Sequence, residues 1–241
     1  MKTFVVLPIA NEESTIESLL REILDQPVPD LNVLPVMDSY SRDMTRNIVE
    51  DLFARDPRIQ LLINERSTGV VSCYLHGFRH AVKMGADYVI EMDGGGSHDP
   101  KSIPEFVRRL DQGYDCVFST RFALGGRIVN HPLRRRLVSK IGTILANGVL
   151  GTHLSDMTSG YEGFRASVLR AIDEQIGFDE ILSLRQASHF IQTELRYYCC
   201  RLRYCENPII YVGSTSTLRN RVIINSLKAL FLLRRRTPIF L

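Results

Sequence analysis

Short β-branched and apolar runs alternate along this chain with longer stretches in which apolar residues recur three and four positions apart, and no other feature narrows the fold as much. Each strand-helix-strand repeat is a βαβ unit, and a series of them builds a mostly parallel sheet with helices on both faces. Strands are expected at Thr3 to Leu7, Asn32 to Met37, Ile59 to Ile63, Tyr88 to Met92 and Asp115 to Ser119. Between them, Ser14 to Leu24, Thr45 to Ala54, Ser72 to Met84 and Ile103 to Leu110 read as helices. Gly85 and Gly113 sit just past the third and fourth helices, where a residue free to take positive φ ends a helix. Farther on, the pattern predicts helices from Leu133 to Leu150, Ala187 to Arg201 and Leu218 to Leu233, and a strand from Asn207 to Val212. The class is α/β, a three-layer αβα sandwich around a mostly parallel central sheet.

Bulk properties remove several functions. The 241 residues, 44% of them hydrophobic, suit one core and are short for two ordinary domains. A net charge of +3 is too mild for a nucleic-acid surface, which needs dense, localised Lys and Arg. Two basic runs stand out, Arg134 to Arg136 and Arg234 to Arg236. The five cysteines contain no CxxC pair, so neither a disulfide framework nor a zinc site is expected, and a reducing cytosol fits. The apolar run before Asn11 is too short for a signal peptide. Val222 to Leu233 is broken by Asn225 and Lys228, and falls below the roughly 20 residues that span a bilayer. No GxGxxG opens a helix after the first strand, which argues against a Rossmann dehydrogenase.

In open parallel sheets, ligands bind beyond the carboxyl ends of the strands, where the loops converge. Polar clusters occupy those ends: Pro8-Ile-Ala-Asn-Glu12 after the first strand, Asp38-Ser-Tyr-Ser-Arg-Asp43 after the second, and Asp93-Gly-Gly-Gly-Ser-His-Asp-Pro100 after the fourth. A loop with Arg121, Gly125, Gly126 and Arg127 follows, then Asp156-Met-Thr-Ser-Gly-Tyr161. Acids and small residues at several strand ends on one edge mark a site.

The order of these clusters resembles family 2 glycosyltransferases, and within them the dolichyl or polyprenyl-phosphate mannose synthases. VVLPIANEES resembles a strand followed by P-x-x-N-E, and Asp38 to Thr45 resembles D-D-x-S-x-D-x-T. Gly69 to Gly77 resembles G-L-G-x-A-x-x-x-G, and Glu91 to Pro100 resembles M-D-A-D-x-S-H-D-P. Ser119 to Phe122 with Gly125-Gly126 resembles G-S-R-Y…G-G, and Asp156 to Arg165 resembles D-x-T-S-G-F-R-x-x-R. The resemblance implies a GT-A-type catalytic domain over residues 1–241. Its nucleotide-binding half is expected at about 1–120, an acceptor-side half at 121–217, and a C-terminal helix suited to a membrane surface at 218–241. The implied reaction moves a hexose from a GDP- or UDP-sugar to a polyprenyl phosphate or a glycan, with inversion.

The diphosphate is the leaving group, so its charge must be met by a divalent cation and by arginine. Mg²⁺ and Mn²⁺ suit carboxylate oxygens, and the resemblance makes Asp93 the metal ligand, with Ser97 as a second candidate. The plainer alternative for Asp93 is a helix cap, although Asp99 is better placed for that. Pro8, Ala10, Glu12 and Asp38 are assigned to the nucleotide pocket; Asp38 capping a turn is the alternative. Arg121 would lie over the diphosphate, where a guanidinium fork matches phosphate oxygens, unless it forms a surface ion pair. Arg134 and Arg165 are candidates for the acceptor's phosphate. A phosphate acceptor is already ionised near neutral pH, whereas a hydroxyl acceptor needs a base; Asp156 is the candidate, or else it holds its own turn. Ile223, Leu227, Leu230 and Phe231 are read as one apolar helix face followed by Arg234 to Arg236, a pattern for an anionic interface on the inner side of a membrane.

Several positions depart from the pattern. Gly95 replaces the second aspartate of D-x-D, which should weaken metal binding; Ser39 replaces the second acid of D-D and Val71 a glycine. Glu162 replaces an arginine and reverses a charge near the expected phosphates. Basic residues are missing between Tyr211 and Thr217, the nearest being Arg219 and Arg221. Two readings remain: an active transferase with altered donor, acceptor or metal use, or a non-catalytic nucleotide-binding relative. The joint survival of Glu12, Asp38, Asp93, Arg121 and Asp156 favours the first.

Overall fold

The computed structural model describes residues 1–129, 132–185, 190–213 and 220–241. Its elements in chain order are β1 (Thr3–Ile9), α1 (Ile16–Leu24), β2 (Leu31–Asp38), α2 (Thr45–Arg55), β3 (Leu62–Asn64), α3 (Val70–Lys83), β4 (Tyr88–Glu91), α4 (Ile103–Asp111) and β5 (Cys116–Thr120). They continue with β6 (Arg127–Ile128), α5 (Leu133–Leu150), β7 (Glu162–Arg165), α6 (Ala166–Gln175), α7 (Leu182–Arg185), α8 (Ile191–Tyr198), β8 (Tyr204–Pro208), β9 (Ile210–Tyr211) and α9 (Asn220–Leu233).

Seven strands form one sheet in the order β3-β2-β1-β4-β7-β5-β8. Every neighbouring pair is parallel except those made by β7, which runs antiparallel between β4 and β5. The expected parallel sheet is therefore present with one reversed strand in it. The pattern of Glu162-Gly-Phe-Arg165 carries too few apolar residues to announce a strand, yet Glu162, Gly163 and Phe164 are all buried. The strand expected over Asn207 to Val212 splits into β8 in the main sheet and β9, which pairs with β6 in a small second sheet. Parts of two other expectations, Ala187 to His189 and Ser214 to Arg219, lie outside the described residues.

β1 is central, and its sequence Thr-Phe-Val-Val-Leu-Pro-Ile is buried almost throughout. A strand covered on both faces reads as a continuous apolar run rather than an alternating one. Phe4 and Val6 point to one core and Val5 and Leu7 to the other, as the pleat requires. The first core holds α3, α6 and α8; the second holds α1, α2 and α4. α3 approaches the sheet closely because Gly77 has no Cβ: one built there would lie 2.5 Å from Val6 Cγ1 and 2.8 Å from Val36 Cγ2.

The same substitution should thus act in opposite directions at two helix glycines. Gly77→Ala is expected to lose about 1–2 kcal/mol, overpacking outweighing alanine's helix preference. Gly148→Ala, on exposed α5 with nothing within 4 Å of the added carbon, should gain up to about 1 kcal/mol. Urea unfolding of both variants measures the contrast.

Candidate active site

The loops after β1 and β2 are tied into one ledge. Glu12 N–H donates to Thr45 Oγ1 (2.7 Å), Glu13 N–H to Asp43 (3.0 Å), and Asn11 N–H to Ser41 Oγ (3.1 Å). In return Arg42 N–H donates to Asn11 Oδ1 (2.9 Å) and Met44 N–H to Glu13 (3.0 Å). Asp38, the last residue of β2, accepts from Tyr40 N–H at 3.0 Å and stays half-buried at the edge of this ledge. The loop after β4 passes just behind it. A Cβ on Gly94 would sit 2.5 Å from the carbonyl oxygen of Pro8, so only glycine lets β1 and this loop touch.

Asp93 follows β4, with its side chain 38% exposed. Tyr74 Oη donates to its Oδ1 at 2.8 Å, and Ser97 Oγ donates to its Oδ2 at 3.3 Å. Asp93 is therefore oriented by two hydroxyls and does not cap the following helix. That role belongs to Asp99, which accepts from Lys101 N–H at 3.0 Å ahead of α4. Ser97, a metal candidate in the sequence, is buried and spends its hydroxyl on Asp93. Next to it His98 is buried, its Nδ1 3.7 Å from Asp93 Oδ2 and both ring nitrogens without a hydrogen bond among the described residues. Burial holds this imidazole below its usual pKa despite the Asp93 charge, so it is neutral.

Arg121, one residue past β5, closes the rim from the other side. Its Nε and one terminal nitrogen grip Asp156 at 2.7 and 2.9 Å, and the same nitrogen reaches Thr158 Oγ1 at 2.6 Å. The Tyr211 ring bridges the gap, with its centroid 5.4 Å from the Arg121 guanidinium and 5.3 Å from the His98 ring. Burial raises the Tyr211 hydroxyl pKa, the Asp93 charge raises it further, and Arg121 and Arg135 oppose. Asp38, Asp93 and Arg121 thus share one edge, the carboxyl ends of β2, β4 and β5. Arg121 is not the surface ion pair considered above: both partners are buried.

Asp156 cannot take a proton from an acceptor. It has no exposed surface, it accepts from Arg121 and Thr158, and those contacts hold its pKa below normal in spite of burial. The structural alternative for this residue is the one the geometry carries. Arg165 is also misplaced by the motif reading. It pairs with Tyr88 at the beginning of β4, the opposite end of the sheet, and donates to the carbonyls of Tyr114 and Leu110. Arg134 stands exposed on the first turn of α5, while its neighbour Arg135 is the one near Tyr211.

Glu162 does not face the phosphate side either. It is fully buried beside Arg196, whose Nε donates to it at 2.5 Å. Arg196 also donates to the carbonyls of Asp156, Ser119 and Ser159, so one guanidinium ties α8 to the end of β5 and to the loop before β7 beneath the rim. Burial pushes Glu162 up to about 7 against the pull of Arg196, and pushes Glu91, its cross-strand partner, well above the usual range. Arg196 gives Glu162 a counter-charge, whereas Glu91 receives a neutral side-chain amide, Gln192, at 2.8 Å. Arg196, Tyr74 and Gln192 escaped sequence reasoning. Tyr74 and Tyr211 fall inside quoted segments, but nothing local marks Arg196 as buried.

A mostly parallel sheet with one reversed strand, gathering acids and an arginine at the carboxyl ends of its strands, has the architecture of GT-A-type glycosyltransferases. The glycosyl transferase family 2 sequence model matches residues 4–173, and the chain belongs to that family. An undecaprenyl-phosphate mannosyltransferase of Micrococcus luteus is 31% identical over 214 residues, covering 88% of this chain and 84% of that protein. A polyprenol monophosphomannose synthase of Mycolicibacterium smegmatis is 30% identical over 71% of this chain, which spans 64% of that protein. In shape, glucosyl-3-phosphoglycerate synthase of Mycobacterium tuberculosis, solved with Mn²⁺, UDP and glucosyl-3-phosphoglycerate, matches with a TM-score of 0.66 at 17% identity. That match covers 98% of this chain and 81% of the other.

Does the rim suit a divalent cation? Gly95 removes one expected carboxylate, and a Cβ built there would lie 3.2 Å from Glu12 Oε1, so the Glu12 carboxylate borders the place where a side chain at 95 would start. Burial, then the charges of Asp43 and Asp93, push the Glu12 carboxyl above its ordinary range against a hydrogen bond from Thr15. Among the described residues no group of three or more His, Cys, Asp or Glu side chains is gathered closely enough to hold a metal ion by itself, so a cation at Asp93 would draw its remaining ligands from a bound diphosphate and water.

Removing Arg196 leaves Glu162 buried without a counter-charge. Arg196→Met is expected to cost about 3–5 kcal/mol. Glu162→Met in the same chain should recover only part of this, because the carbonyls of Ser119, Asp156 and Ser159 still lack their donor. Equilibrium urea unfolding of the single and double variants tests the expectation.

Proposed function

We infer that this glycosyltransferase moves mannose from a nucleoside diphosphate sugar to a polyprenyl phosphate at a membrane surface. The observation that carries the reading is the single rim shared by Asp38, Asp93 and Arg121, in a chain whose relatives are named for mannose transfer to undecaprenyl phosphate and polyprenol phosphate. The nucleotide would rest on the ledge of Pro8, Ala10, Glu12 and Asp38. A divalent cation held at Asp93 would neutralise charge on the leaving diphosphate.

The phosphate oxygen of the acceptor attacks the anomeric carbon. The bond from that carbon to the diphosphate oxygen breaks, its electron pair leaves with the nucleoside diphosphate, and the centre inverts. No base is needed, because a phosphate oxygen is ionised near neutral pH. The burial of Asp156 supports this acceptor over a hydroxyl, whose proton would have needed that carboxylate. Asp156 instead holds Arg121 in place, so the guanidinium is set before substrate arrives and its positioning costs little in the transition state.

Two helices beside the rim support a lipid surface. α5 exposes Leu133, Leu137, Ile141, Ile144 and Leu145 on one side, spaced by three, four and one. It packs against α9, which exposes Ile224, Leu227 and Phe231. The face of α9 differs from the expected one: Leu230 turns inward with Ala229 and Leu233, Ile223 is half-buried, and Ile224 is the outward residue. Arg134 and Lys140 on α5, with Arg234 and Arg235 after α9, stand exposed around this apolar patch, as on helices that lie in an anionic interface. Among the described residues, no helix is long and apolar enough to cross a membrane.

GDP or UDP with Mn²⁺ should raise the melting temperature, and donor turnover on polyprenyl phosphate should fall at least about a hundredfold in Asp93→Asn, the scale of losing one electrostatic contact to a transition state. Nucleotide binding without turnover on any acceptor would identify the non-catalytic alternative. Leu137→Glu with Ile144→Glu should cut co-sedimentation with anionic phosphatidylglycerol vesicles by about tenfold or more while leaving the melting temperature in place. Unchanged sedimentation would remove the membrane surface from the proposal.

A further inference from the structure

β8 lies at one edge of the main sheet, parallel to β5, and Glu206 stands in it opposite Phe118. The Glu206 carboxylate is half-buried and turns toward the loop before β7. Its Oε1 accepts from Ser155 N–H at 2.9 Å, from Ser155 Oγ at 2.8 Å and from Asp156 N–H at 3.3 Å, and its Oε2 accepts from Ser155 N–H at 3.0 Å. All of these donations come from two consecutive residues. Hydrogen bonds to a carboxylate are stronger than those between neutral groups, so one point of the loop is held tightly from β8.

Two paths lead from that point to Arg121. The first runs through Asp156, whose backbone Glu206 grips and whose own carboxylate accepts from Arg121 N–H at 3.1 Å and from Arg121 Nε at 2.7 Å. The second runs through hydroxyls, with Thr120 Oγ1 and Ser155 Oγ 2.6 Å apart. Both Glu206 oxygens face N–H groups, so the carboxylate acts only as an acceptor and the Ser155 hydroxyl hydrogen points to it. Thr120 must then donate to Ser155. The lone pairs of Thr120 Oγ1 are left for Phe122 N–H and Ala123 N–H, both at 3.2 Å, which shape the turn just after Arg121.

We propose that Glu206 is a positioning residue for the transfer reaction, fixing the aim of the Arg121 guanidinium through Asp156 on one path and through Ser155 and Thr120 on the other. The inference rests on the reading of Arg121 as the cation over the leaving diphosphate. Such a group stabilises developing charge only if it is in place beforehand, and a displacement of about 1 Å can cost about a hundredfold in rate. Glutamine cannot substitute for this carboxylate, although it has nearly the same shape. Whichever way its amide is turned, an N–H₂ group meets the Ser155 N–H, donor against donor.

The test is steady-state transfer by the full chain from GDP-mannose or a UDP-hexose to undecaprenyl phosphate, with the melting temperature of each variant recorded. Glu206→Gln should lower kcat about tenfold to a hundredfold and change the donor KM by less than about threefold, since a misaimed guanidinium loses contact mainly in the transition state. Ser155→Ala, which breaks the hydroxyl path alone, should lose about threefold to tenfold in kcat. Both variants are then combined with Arg121→Lys, which keeps a cation beside Asp156 but lacks the planar fork. In that background Glu206→Gln should cost less than about threefold more, whereas a residue that only supports the fold would lower kcat by the same factor in both backgrounds. Equal losses in the two backgrounds, or a Glu206→Gln kcat within about twofold of wild type, overturn the inference and leave the transferase reading standing. If Glu206→Gln does not fold, the same cycle with Ser155→Ala decides. Wild type without turnover on either donor, or Arg121→Lys as active as wild type, would instead bring down the reading of the rim and this inference with it.

Discussion

One buried guanidinium organises the acceptor side of this protein. Arg196 reaches from α8 into the layer below the rim, where it neutralises Glu162 on β7 and closes the carbonyls of Ser119, Asp156 and Ser159. Those carbonyls belong to the end of β5 and to the segment preceding β7, the stretches that place Arg121 and its partner Asp156. A buried cation in such a position is worth little as raw stability, since desolvation cancels most of its attraction. Its consequence is geometric: the backbone on which the rim arginine sits has few other ways to satisfy its polar groups.

Charge is arranged here in two tiers. Below the rim, Glu91, Glu162 and Arg196 form a buried group whose proton count is set by burial, while Asp156 and Arg121 cancel each other just above. At the rim itself, Glu12 and Asp93 have no such counter-ion among the described residues, and His98 is neutral. Negative charge at the rim thus stands without a counter-ion among the described residues, unlike the paired acids below it. A residue that looks like a charge reversal in sequence, Glu162, lies in the lower tier, already paired with Arg196.

Much of the fold was legible because buried parallel strands write themselves as continuous apolar runs. β1, β2, β4 and β5 fall within a residue or two of their expected bounds at most ends, and α5 runs over the same residues, Leu133 to Leu150, that its pattern marked. β7 was not legible, since two of its four residues are charged and the charge of Glu162 is met in the interior by Arg196, which is distant in sequence. The rim was legible where strand ends supply its acids. Arg165 was not, because a motif gives order along the chain and not direction: β7 runs back from the rim, and four residues carry Arg165 to the far edge.

By itself the sequence determined the α/β class, the succession of strands and helices, and the acids at the carboxyl ends of β1, β2 and β4, because hydrophobic periodicity and chain order are local properties. Only the tertiary structure decided that Asp156 is a buried partner of Arg121, that Glu162 is matched by Arg196, and that the Glu12 carboxylate lies against Gly95. Each of these depends on which side chains share a few ångströms of low-dielectric space. That is settled by how sheet and helices pack together, and no spacing along the chain encodes it.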